Sequence, residues 1–117
     1  MSLIPEPYPE GMLVLSRSVR ESFVVDESIV FTVRRIGTIR ATLVRTTADM
    51  PFGAEVEIHV DGLRDIGPGL RAVMFPSRPG RIRIGVVASP ERHIRRLNPF
   101  ERPVRPRPPS HDGTASP

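Results

Sequence analysis

Residues 80–97, GRIRIGVVASPERHIRRL, hold the side chains best suited to chemistry in this sequence. Ile82, Ile84 and Val86 alternate with Arg81, Arg83 and Gly85, the period of a strand with one dry face and one wet, basic face. Ala88, Ser89 and Pro90 interrupt that run, because proline donates no ladder hydrogen bond, and the spacing predicts a turn there. A second extended piece follows, with Arg92, Ile94 and Arg96 on one side and Arg95 between them. Two short strands would thus bring several guanidinium groups to one face. Planar, permanently charged forks of this kind suit phosphate.

The wider charge pattern points the same way. All 17 basic residues are arginine, and residues 78–107 carry nine of them against Glu91 and Glu101, a net charge of +7; the rest of the chain nets −3. A field this local favours an acidic partner, nucleic acid first, over a uniformly solvated surface. With no cysteine, disulfides, thiolate metal sites and cysteine nucleophiles are excluded. His59, His93 and His111 lie far apart and lack ligand spacing, so neither a metal nor another cofactor is expected. No glycine-rich phosphate loop precedes a helix, and an enzyme is not expected. No run approaches the roughly 18 apolar residues of a membrane span, and the acidic, proline-broken start is unlike a signal peptide, so a cytoplasmic protein with no membrane partner is expected.

The elements that must position the arginines read as an all-β chain of 117 residues. Residues 1–11, with Pro5, Pro7 and Pro9, form an extended lead-in. Residues 12–17 and 23–25 are strand segments, Asp26, Glu27 and Ser28 a turn, and 29–33 the next strand. In residues 38–79, strands are expected at 39–45, 55–60 and 70–75, separated by turns at Pro51, Gly53, Gly62 and Gly67, with 63–66 unassigned. Residues 98–117, rich in proline, lack apolar periodicity and read as a disordered tail whose Arg102, Arg105 and Arg107 add non-specific attraction to a polyanion.

Two blocks, MLVLSRSVRESFVVDESIVFTV from Met12 and GRIRIGVVASPERHIRRL from Gly80, together resemble the carbon storage regulator family (CsrA/RsmA) of bacterial translational regulators. The specific parts are the Met-Leu-Val-Leu-Ser-Arg opening, Val19 with Glu21, and Arg83-Ile84-Gly85-Val86. The resemblance implies an intertwined all-β homodimer, with the first strand of one subunit beside the last strand of the other. It implies RNA sites shared between subunits, which bind GGA-containing messenger loops and block translation. By position, Leu15, Ser16 and Arg17 match first-strand contacts, while Ala88 and Ser89 match a backbone-contact segment. Ile94 matches a last-strand aliphatic, and Arg96, next to Arg95, matches the arginine most associated with RNA. Ser18, Arg20, Val87 and Arg92 depart from the family pattern. Residues 38–79 stand where the family has a tight hairpin, and are expected to extend that hairpin outward as a β insertion open to a protein partner. Two rivals follow: a protein-interaction module that keeps the dimer fold without specific RNA binding, and non-specific polyanion binding by residues 78–107 alone.

Overall fold

The structure, a computed structural model, describes residues 11–97; nearly all of the expected lead-in, and the whole of the expected tail, lie outside the described residues. Among the described residues nine strands follow one another: β1 (Leu13–Ser18), β2 (Ser22–Val25), β3 (Ile29–Ile36), β4 (Arg40–Thr46), β5 (Ala54–His59), β6 (Arg64–Gly67), β7 (Leu70–Pro76), β8 (Arg81–Val87) and β9 (Ile94–Leu97). They form two antiparallel sheets, ordered β1-β8-β7-β6 and β5-β4-β3-β2-β9. The all-β reading holds. The segment left unassigned at 63–66 is largely β6, whose Arg64 and Asp65 hide the alternation because both are exposed while Ile66 is buried.

Period-2 alternation decides which side chains enter the core between the sheets. Leu15, Ile82, Ile84, Val86, Leu70 and Met74 come from the first sheet, and Phe23, Phe31, Val33, Leu43 and Ile58 from the second. Phe23 and Phe31 sit opposite each other on β2 and β3 and stack with centroids 5.0 Å apart. Two tight turns use non-glycine residues in the left-handed region: Arg20 (φ 77) after β1, and the Asp26-Glu27 pair (φ 53 and 54) between β2 and β3.

Residues 38–79 are no outgrowth of one hairpin. They supply β4, β5, β6 and β7, and with them buried Leu43, Ile58, Ile66, Leu70, Ala72 and Met74. β7 lies between β8 and β6, so the basic strand β8 is held in place by this segment.

The strand pairings repeat. β1 and β5, β4 and β8, and the starts of β3 and β7 are each separated by 41 positions. The registers carry the same offset. Leu13 opposite Val86 corresponds to Ala54 opposite Arg45, Phe23 opposite Phe31 to Arg64 opposite Ala72, and Val33 opposite Leu43 to Met74 opposite Ile84. The first strand of each half pairs with the fourth strand of the other half: β1 with β8, and β5 with β4. Both of these pairings are made within the one chain, and β1 lies beside β8, not beside the last strand β9. β9 breaks the symmetry, since it pairs with β2 and, among the described residues, has no counterpart on β6.

Candidate nucleic-acid interface

β1 and β8 run antiparallel with Leu15 opposite Ile84, Ser16 opposite Arg83, Arg17 opposite Ile82 and Ser18 opposite Arg81. Alternation places Ser16, Ser18, Arg81 and Arg83 on the outer face. There the Arg81 guanidinium donates from Nε to Ser16 Oγ at 3.0 Å and from its terminal nitrogen to Ser18 Oγ at 3.0 Å. These bonds fix the fork without neutralising it. Among the described residues, no carboxylate lies within ion-pair distance of Arg81, Arg83 or Arg96.

Arg17 shares the inner face with Leu15 and is mostly buried, its side chain 11% exposed. Its Nε donates to Ser16 O at 2.7 Å, its terminal nitrogen to Ser22 O at 3.2 Å, and Glu21 lies 3.8 Å away. Burial holds the Arg17 guanidinium below the ordinary arginine value; Glu21 opposes that shift, while repulsion from Arg96 and Arg81 adds to it. Arg17 thus feels the like charges of Arg96 and Arg81 although Arg81 lies on the other face of the sheet, and a bound anion would relieve that repulsion.

β9 is positioned by its pairing with β2, Ile94 opposite Val25 and Arg96 opposite Phe23. Between β1 and the approach to β9 lies a groove of about 290 Å³, lined in part by Leu13, Ala88, Ser89, His93 and Ile94. Arg92, held by Asp26, is the arginine that lines this groove, whereas Arg17 and Arg96 lie farther along β1 and β9 and are not part of its lining. Of the residues expected to contact RNA, Ala88, Ser89 and Ile94 line the groove. Arg17 and Arg96 lie within electrostatic range of each other. Leu15 is 5% exposed and serves the core, and Ser16 faces outward as acceptor to Arg81. Arg95 is placed differently: it makes a bidentate ion pair with Glu27, Nε to Oε2 at 2.6 Å and a terminal nitrogen to Oε1 at 2.8 Å. It points to the opposite face of β9 from Arg96.

Asp26 is the residue that sequence reasoning read only as part of a turn. Its backbone N–H donates to His93 O at 2.7 Å, and its carboxylate accepts from His93 N at 2.9 Å and Arg92 Nε at 2.6 Å. The β2–β3 turn thereby clasps the segment leading into β9. The signal available in the sequence was Asp26-Glu27 facing Arg92 and Arg95, but charge complementarity alone does not specify pairing across so many residues. The His93 N–H bond, followed by Arg92, holds the Asp26 carboxyl below the usual carboxylate range. A depressed folded-state pKa gives stability that is present above the unfolded value of about 3.9 and lost as pH falls through the folded one. Asp26→Asn is expected to lower stability at neutral pH by about 1 kcal/mol, a value discounted for exposure, and to flatten the acid limb of stability against pH. Urea unfolding across that limb checks this; an unchanged acid limb would show that Asp26 is not its source.

No protein-family model matches this chain, and no curated protein or solved structure matches it. The site therefore rests on its own geometry.

Proposed function

We propose that this protein is a non-catalytic RNA-binding regulator that holds an unpaired, GGA-containing messenger loop against the β1–β9 groove. The observation that carries the reading is that Arg81, Arg83 and Arg96 have no carboxylate within ion-pair distance among the described residues, while Ala88, Ser89 and Ile94 line a groove. Splayed guanines present acceptor edges that guanidinium forks bridge, and strand-end backbone groups such as those of Ala88 and Ser89 read Watson–Crick edges of unstacked bases. Blocking a ribosome-binding site needs occupancy and no chemistry. Its place of action would be the cytoplasm, where messengers are translated.

A second reading is favoured by Phe52, which is 98% exposed in the turn before β5, with Met50 48% exposed beside it in sequence. An aromatic held this far from the core suits a protein partner docking on the 47–53 loop. Titrating a GGA hairpin and a scrambled hairpin across a salt series decides between the readings. The regulator prefers the GGA hairpin at every salt concentration. Equal binding that collapses with salt means polyanion attraction alone, and binding to neither leaves the Phe52 loop as the functional surface.

A further inference from the structure

We propose that the chain is an internally duplicated unit whose two halves exchange strands within one polypeptide, and that it works as a monomer with a single RNA groove. The RNA part rests on the function proposed above; the duplication does not. The offset of 41 positions holds for the bounds of β1 and β4 and the start of β3, and for the registers of all four strands, β2 included through Phe23 opposite Phe31 and Arg64 opposite Ala72. It also holds for the inward residues, Val25 with Ile66, Ile29 with Leu70, Val33 with Met74, Ala41 with Ile82 and Leu43 with Ile84. A chance resemblance between two sheets would not conserve register, because a one-residue slip turns every inward side chain outward.

Both exchange contacts, β1 on β8 and β5 on β4, are used up inside the chain. β6 is the edge left without the strand that β9 gives to β2, and it is guarded. It is four residues long, carries exposed Arg64 and Asp65, changes register between Asp65 and Gly67, and its Ile66 carbonyl accepts from an Arg45 terminal nitrogen at 2.6 Å. Short, charged and bulged edges of this kind resist pairing with a second chain.

The duplication does not extend to the groove. At the matching place on β5 and β4, the position of Ser16 is Glu57, that of Arg17 is Ile58, that of Val14 is Glu55 and that of Arg83 is Thr42; of these five only Arg81 keeps its type, as Arg40. Glu55 is paired with Arg34 at 2.5 Å, and among the described residues no strand stands in the place of β9. Phosphate approaching that side meets carboxylates where the first half offers hydroxyl and guanidinium groups. One groove remains.

The test measures the mass of the full-length protein by light scattering at micromolar concentration, then titrates it with the GGA hairpin under native mass spectrometry. A monomer near 13.0 kDa that binds one hairpin is expected. Arg96→Lys, which keeps the charge but loses the fork at an exposed position, should weaken binding roughly tenfold, whereas Glu57→Gln should leave the stoichiometry at one. A stable dimer overturns the inference, as do two hairpins per chain. A monomer that does not bind the GGA hairpin refutes the regulator reading while its mass sustains the duplication.

Discussion

Excision of residues 39–79 is expected to abolish folding as a monomer and to make whatever folding remains depend on protein concentration. The cut removes one repeat length, joining Thr38 to Gly80, which then takes the place of Ile39 with the hairpin length preserved. What the shortened chain loses is half of its interior: Leu43, Ile58, Ile66, Leu70 and Met74, each at most 1% exposed in the intact protein. At about 1.5 to 3 kcal/mol per buried side chain of this size, five such losses amount to roughly 8 to 15 kcal/mol, the whole stability of an ordinary domain. A second copy can replace them only by exchanging strands, β1 onto the β8 of its partner and β9 onto the β2 of its partner. That dimer must also seat a second Phe31 where Ala72 stood, an overpacking that costs about 1 to 3 kcal/mol. Circular-dichroism melts over a range of concentrations are the measurement, and the midpoint should rise with concentration. A shortened chain that folds as a monomer with a concentration-independent midpoint would show residues 38–79 to be an appendage and remove the duplication.

The second large effect concerns Arg96. It is exposed, pairs with no carboxylate among the described residues, and acts on Arg17 only through like-charge repulsion. Arg96→Ala should therefore leave stability within about 0.5 kcal/mol of the parent, which makes its effect on binding clean to read. If its fork bridges a guanine edge, the substitution costs about 1 to 3 kcal/mol on a GGA hairpin and far less on a scrambled one. If it meets only phosphate, both RNAs weaken alike and the salt slope falls by roughly 0.7. Arg17→Ala is a poorer probe, because it also removes bonds to Ser16 O and Ser22 O and so mixes folding with binding. Removing residues 102–117, with Arg102, Arg105 and Arg107, is the control and should weaken both RNAs without changing their ratio. An Arg96→Ala protein that keeps the full GGA preference would move the reading site elsewhere on the chain.

The all-β class was legible in the sequence because side-chain alternation is a local property. Ile82, Ile84 and Val86 declare a buried face wherever the strand ends up, and Pro51, Gly53 and Gly67 mark turns by backbone chemistry alone. The basic character of residues 80–97 was equally plain, since charge is additive along a chain. The hairpin partners of β2 and β3 followed from the short turn between them. What alternation does not carry is the identity of the facing strand. Leu43 in β4 and Ile84 in β8 read as interchangeable inward residues, and only the register shows that they occupy corresponding places in two repeats. The duplication left little trace in residue type because a core constrains total volume and polarity more than identity: Phe31 corresponds to Ala72, and Arg17 to Ile58, without loss of the two-sheet arrangement. The same blindness hid the clasp of Asp26 on Arg92 and His93 and the pairing of Arg95 with Glu27, contacts between residues far apart in the chain. Which arginines remain available to an anion was thus decided by tertiary structure, because a guanidinium is withdrawn from that role only by a carboxylate that the fold brings to it.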